Sequence, residues 1–150
     1  MARENSWRLN LLLKTHLNID HPIIVFDGIC NLCNNAVNFI IRRDLKNIFF
    51  YSTSQSEFSR NYLINNNHEN ISESTVMLIN EGKLLTHSDA ILQILEILEF
   101  NPIMLRLLKI FPSRLLDLFY KIISSNRYRI FGRRKHCIVP DSIISQRFIV

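Results

Sequence analysis

The sequence predicts an α/β fold with a β-α-β-α-β-β-α core and extra helices at both ends. Three observations lead there. Ile23-Ile24-Val25-Phe26 is a continuous β-branched and aromatic run, which reads as a buried strand. Directly after it, Leu32, Ala36, Val37, Ile40 and Ile41 recur at three- and four-residue intervals, the period of a helix. Further on, Asn80-Glu81-Gly82-Lys83 parts two short apolar runs, a hairpin signal.

Each element has a local cause. Residues 5–18 place Trp7, Leu11 and Leu12 at near-helical spacing, so a helix is expected there, with Trp7 as its anchor to the body. His21-Pro22 stops it, because the residue before proline is pushed out of the helical region. The first strand, 23–26, ends at Gly28. A helix then opens at Cys30 and closes at Arg42-Arg43-Asp44. Asn47 to Tyr51 is expected as the second strand. A helix over 54–64 follows, with Ser54 or Ser56 as N-cap and Phe58, Tyr62 and Leu63 on its apolar side. The polar run 65–74 is a loop. Strands are expected over 76–79 and 84–87, with Gly82 taking a positive φ between them. Ser88-Asp89 is expected to cap a helix with Ile91, Ile94, Leu95 and Leu98 as its stripe, ended by Pro102. Two helices, 103–111 and 113–124, flank Pro112, and the tail from Asn126 is basic and then mixed.

Strand, crossover helix and strand imply a parallel pair, to which the hairpin adds an antiparallel partner. This is the order of a thioredoxin-like core. Residues 1–20 are expected as an N-terminal helical extension. Residues 21–150 are expected as one domain that includes the C-terminal helices and the basic tail.

Composition narrows the class. The 150 residues fit one compact domain, and 47% hydrophobic with 21% charged residues can bury a core. Three Cys are too few for a disulfide-stapled scaffold. No long charge-free apolar stretch suggests a transmembrane helix, and the start has no cleavable apolar leader, so a cytoplasmic location is the expectation. There a cysteine pair is more often catalytic or metal-binding than structural. Charge is uneven: residues 1–99 carry a net −3 and residues 100–150 a net +8. The last third therefore faces something acidic, or packs on the acidic first part.

The chemistry lies in Phe26-Asp27-Gly28-Ile29-Cys30-Asn31-Leu32-Cys33. Cys-x-x-C here follows a buried strand and occupies the first turn of a helix. That spacing brings two sulfurs within reach of one disulfide. The helix N-terminus, with its unpaired N–H groups, favours a thiolate on Cys30 and is expected to lower its pKa. Cys30 is then the attacking thiol and Cys33, one turn deeper, the resolving thiol. Asp27 is either a proton acceptor for the resolving thiol or a polar group that tunes thiolate stability, or else a turn aspartate bound to local N–H groups. Gly28 is expected to allow the tight strand-to-helix turn.

The segment VFDGICNLCNNAVNFIIRRD resembles the signature of the DCC family of thiol-disulfide oxidoreductases, named for Asp-x-x-Cys-x-x-Cys, here Asp27, Cys30 and Cys33. THSDAILQIL and NRYRIFGRRKHCIVP match further along, and the resemblance spans roughly residues 22–150. It implies a thioredoxin-like fold and dithiol–disulfide exchange without an organic cofactor. The implied partners are a thiol or disulfide substrate and a cellular thiol reductant. One departure stands out. Thioredoxins place a cis-proline before the third strand, whereas Ser72-Glu73-Ser74-Thr75-Val76 contains none, which puts substrate docking along that loop in question.

Cys137 is the odd cysteine: a second resolving thiol, a glutathionylation site, a third metal ligand, or simply packed. Adjacent His136 does not make a good zinc pair with it, since the two lack a spacer, and no metal is expected. Arg127, Tyr128, Arg129, Phe131, Arg133, Arg134 and Lys135 form a basic aromatic cluster. The preferred reading is that Tyr128 and Phe131 anchor the tail while the arginines meet acids or water. An arginine, with Arg129 the candidate, could also stand near Cys30 and support its thiolate. Nucleic acid is not the expected partner. The alternative to an enzyme is a non-catalytic binding module that holds a metal through its cysteines, or nucleic acid or an anionic membrane through the basic tail.

Overall fold

The computed structural model describes residues 21–68, 70–71, 75–133 and 142–149. The expected N-terminal helix with Trp7, as well as Cys137 and the basic residues Arg134 and Lys135, lies outside them. So does most of the loop that lacks the proline.

The chain forms β1 (Ile23–Phe26), α1 (Asn31–Arg43), β2 (Phe50–Thr53), α2 (Glu57–Asn65), β3 (Met77–Asn80) and β4 (Lys83–Thr86). It continues with α3 (His87–Ile97), α4 (Pro102–Ile110), α5 (Ser113–Phe131), the short α6 (Ser142–Ser145) and β5 (Phe148–Ile149). The sheet order is β4-β3-β1-β2-β5. β1 runs parallel to β2 and antiparallel to β3, as a β-α-β unit followed by a hairpin requires. The β-α-β-α-β-β-α order is thus present and compatible with a thioredoxin-like core.

β1 is buried along its whole length, and strand alternation divides its side chains between two cores. Ile24 and Phe26 face a core shared with Cys33 and Val37 of α1 and with Ala90 and Ile94 of α3. Ile23 and Val25 face a second core with Leu63 of α2, and Met77 and Ile79 of β3. The Cys-x-x-C helix therefore rests on the central strand that immediately precedes it.

Several boundaries differ from the sequence expectation, each for a physical reason. The second strand starts at Phe50, three residues late. Asp44 caps α1, and its carboxylate accepts the N–H groups of Ile48 (2.8 Å) and Phe49 (3.0 Å) while Asn47 takes a positive φ. Those residues are spent on a turn. In the hairpin, Glu81 shares positive φ with Gly82, so the two-residue loop has the turn that suits strand twist. α3 begins at His87 behind Thr86, not behind Ser88-Asp89. Ser88 is buried instead and donates its hydroxyl to Asp117 of α5 at 2.5 Å. α5 continues past residue 124 to Phe131, and Ser125 and Asn126 are accommodated within it, their side chains donating to the carbonyls of Lys121 and Ile122. Gly132, at φ 78°, ends it.

The fifth strand was not expected. Its two residues pair with Tyr51 and Ser52. Arg147 secures them: it donates to the Phe49 carbonyl (2.9 Å) and Asn47 Oδ1 (2.7 Å) and forms an ion pair with buried Asp44. Asp44 thus holds a helix end, a turn and a strand at once. Removing it strands Arg147 and two backbone N–H groups. Asp44→Ala should lower unfolding stability by about 3 kcal/mol in urea titration, the magnitude of breaking a largely buried pair. A loss below about 1 kcal/mol would place that pair in the class of weak surface bridges.

Candidate active site

The site sits where β1 meets α1. Cys30 is the N-cap of α1, and its Sγ accepts the backbone N–H of Cys33 at 3.4 Å. A thiol thus takes the place that a serine or aspartate side chain usually fills. Asn34 is buried and fixes the turn, donating to the carbonyls of Gly28 and Cys30, both at 2.8 Å. Gly28 shapes the site by close approach rather than by a positive φ. A Cβ there would meet Thr53 Cγ2 at 2.8 Å. Its N–H donates to Gln55 Oε1 at 3.2 Å.

Both cysteines are free of a disulfide and buried, but their depths reverse the expectation. Cys30 is 0% exposed and Cys33 is 6% exposed. The cover over Cys30 comes from the end of α5. Arg133 forms an isolated antiparallel bridge with Cys30. Asn31 donates its side-chain amide to the Phe131 carbonyl at 2.7 Å, and its backbone N–H reaches the Gly132 carbonyl at 3.5 Å. The Arg133 guanidinium lies over the Tyr128 ring at 3.9 Å.

Asp27 is the turn aspartate that was one of its expected roles, and it has further partners. It makes the local turn bond, accepting from Ile29 N at 3.1 Å. Its carboxylate also anchors a buried network. Gln55 Nε2 donates to Oδ1 at 3.0 Å, and Arg127 donates to Oδ2 at 2.7 Å. The Tyr128 hydroxyl also donates to Oδ2 and itself accepts from Arg127 at 2.9 Å. Burial, and then this bond to Asp27, hold the Tyr128 hydroxyl above the ordinary tyrosine range, so it remains a donor.

The arginine at the site is Arg127, not Arg129. Arg127 is 2% exposed and ion-paired with Asp27, whereas Arg129 points to solvent. The preferred reading of the basic cluster, arginines meeting acids, therefore holds at Arg127. Tyr128 packs on the core as expected, but Phe131 remains exposed. A signal for Arg127 was present. Tyr120, Ser124 and Arg127 fall on one helical face, a polar stripe facing inward. Asn34 had a similar signal, a polar residue in phase with Cys33 and Val37. Gln55 had none.

Electrostatics act strongly on Cys33. The Cys33 thiol is pushed up to about 12, by burial first and then by its hydrogen bond to Cys30 and the charge there. Arg127 pulls it down and Asp27 pushes it up, so the ion pair acts on the dithiol with both signs. Beside Cys33 lies an apolar cavity of about 220 Å³, between α1 and α3 over Ile24 and Phe26. Among the described residues no third metal-binding side chain joins the two cysteines. The N–H of Val76, at the start of β3, donates to the Tyr120 hydroxyl at 2.9 Å, and no described peptide bond is cis.

Arg127→Met leaves the Asp27 carboxylate buried with its main partner gone. It should cost about 3–5 kcal/mol of stability. The double variant Asp27→Leu/Arg127→Met should lose markedly less than the two single variants summed. Additive losses in a denaturation-based double-mutant cycle would show that the two groups do not act as a pair.

Comparison with known proteins agrees with this geometry. The DCC1-like thiol-disulfide oxidoreductase family matches residues 24–133, which run from the central strand to the cover over Cys30. The chain is 31% identical over 135 residues to the uncharacterized protein YuxK of Bacillus subtilis, covering 90% of this chain and 98% of that one. It is 31% identical over 117 residues to a chloroplastic DCC family protein of Arabidopsis thaliana, covering 77% and 68%. No solved structure matches it. With its Asp27, Cys30 and Cys33 at the junction of β1 and α1, this chain belongs to the DCC1-like thiol-disulfide oxidoreductase family.

Proposed function

We propose that Cys30 and Cys33 cycle between dithiol and disulfide, with Cys30 as nucleophile and Cys33 as resolving thiol. The observation that carries this reading is the place of Cys30 at the N-cap of α1, with Cys33 one turn on. Cys33, held up to about 12, keeps its proton and donates it towards Cys30. The Cys33 backbone N–H also donates to Cys30 Sγ. Cys30 is the sulfur placed to bear charge and attack.

The Cys30 thiolate attacks a substrate disulfide, forms a mixed disulfide and releases one substrate thiolate, which takes a proton from water. Cys30 is then neutral, so two of the influences that hold the Cys33 proton vanish. Cys33 loses its proton and attacks Cys30 Sγ. This releases the second substrate thiol and closes the Cys30–Cys33 disulfide. Substrate gains two electrons from the dithiol and two protons, one from water and one from Cys33, and a cellular thiol reductant returns the protein to the dithiol. Asp27, in electrostatic contact with Cys33, is positioned to guide that proton. Its bonds to Gln55, Arg127 and Tyr128 fix where it stands. Substrate reaches Cys30 once the bridge to Arg133 opens, and an apolar group of the substrate fits the cavity beside Cys33.

A redox titration in glutathione buffers, read by intact mass after alkylation, should show one reversible two-electron transition. It should be absent in both Cys30→Ser and Cys33→Ser. If no disulfide forms between these cysteines at any potential, the reading fails. Of these two cysteines, only Cys30 should react with iodoacetamide in the native reduced protein up to a pH of about 10. Asn31→Ala, which removes a bond holding the cover, should speed that labelling several-fold. Equal labelling of Cys33 under the same conditions would reverse the assigned roles.

A further inference from the structure

α4 and α5 turn their apolar residues outward. On α5 the stripe that faces the body is polar: Tyr120 and Ser124 with the Asp27 partners Arg127 and Tyr128. The opposite stripe is Leu115, Leu118, Phe119, Ile122, Ile123 and Ile130, all exposed and at helical spacing. α4 adds Ile103 at 67% exposure and Ile110 at 75%. A helix on the surface of a water-soluble domain ordinarily has the reverse arrangement, and a contiguous apolar patch of this kind marks an interaction surface.

The charges on these helices have one sign on the outside. Arg106, Arg114, Lys121 and Arg129 are exposed. Arg114, Lys121 and Arg129, seven and eight residues apart, run along one border of the apolar stripe. The single acid in 102–131, Asp117, is only partly exposed and is occupied by Ser88. No helix among the described residues is long and apolar enough to cross a membrane.

The geometry points to the outer face of α4 and α5 as a docking surface for an anionic membrane. The isoleucine and leucine side chains enter the boundary between headgroups and acyl chains, while the bordering cations meet lipid phosphates. Charge separates this occupant from a second copy of the chain. Two such faces brought together would set cations against cations, whereas an anionic bilayer satisfies both the apolar stripe and its border.

Flotation of the full chain with vesicles tests this. Vesicles of phosphatidylcholine alone are compared with vesicles containing about 30% phosphatidylglycerol, at about 0.1 M and about 0.5 M salt. The bound fraction should be roughly tenfold higher on the anionic vesicles and should fall at high salt. Leu118→Glu/Ile122→Glu should abolish binding with the circular dichroism spectrum unchanged. Arg114→Gln/Lys121→Gln/Arg129→Gln, which leaves the apolar stripe intact, should reduce binding to the level seen on neutral vesicles. That variant decides the matter if the first one misfolds. Failure to bind anionic vesicles, or equal binding to both kinds, overturns the proposal. So does a dimer in sedimentation that Leu118→Glu/Ile122→Glu dissociates without any vesicle binding.

Discussion

Asp27 and Arg127 stand 100 residues apart in the chain and meet where both are almost wholly buried. Taking two such ions from water costs several kcal/mol each, so the contact persists only if nearly every lone pair and proton is used. It is used here. Gln55, Ile29, Arg127 and Tyr128 all donate to the carboxylate. The pair joins the end of the central strand to the last turns of α5. Those turns must then lie across the N-terminus of α1, and the chain leaving them at Gly132 and Arg133 closes over Cys30. Placement and burial of the dithiol both follow from this one contact.

The same pair also sets the electrical surroundings of the sulfurs. A lone buried carboxylate near Cys33 would only raise its pKa, and a lone guanidinium would only lower it. Held together, they nearly neutralise one another at a distance while remaining distinct nearby. Burial then dominates at Cys33, with Cys30 as the next influence. In the exchange proposed for this pair, a mixed disulfide at Cys30 would remove that second influence before Cys33 reacts.

Local chemistry was legible in the sequence, and distant chemistry was not. Asp27, Gly28, Cys30 and Cys33 lie within seven residues, and their strand-to-helix setting follows from hydrophobic periodicity alone. The hairpin was legible because Gly82 marks its turn. β5 was hidden, since a two-residue strand has no pattern, and its place depends on Arg147 reaching Asp44. Arg127 was hidden for a different reason. Within a basic run one arginine looks like the next, and charge alone could not place the one at the site, so the candidate named was Arg129. The phase of Tyr120, Ser124 and Arg127 on the helix distinguishes them, but only once α5 is known to continue past residue 124. Stopping that helix early hid the register that identifies the buried arginine.

α5 can bury only one stripe, and the redox site claims it. An inward face made of Tyr120, Ser124, Arg127 and Tyr128 supplies hydrogen bonds to the dithiol region but little apolar burial. The leucines and isoleucines of the helix are consequently left on the outside. Its outer face and the cover over Cys30 therefore belong to one continuous 19-residue helix and the residues that follow it directly. No proline or glycine interrupts it between Ser113 and Phe131, so it has no built-in hinge. A surface that docks on that outer face holds α5 as a rigid rod, and through it fixes where the cover over Cys30 begins. The cover over Cys30 and the exposed apolar stripe are properties of the same helix.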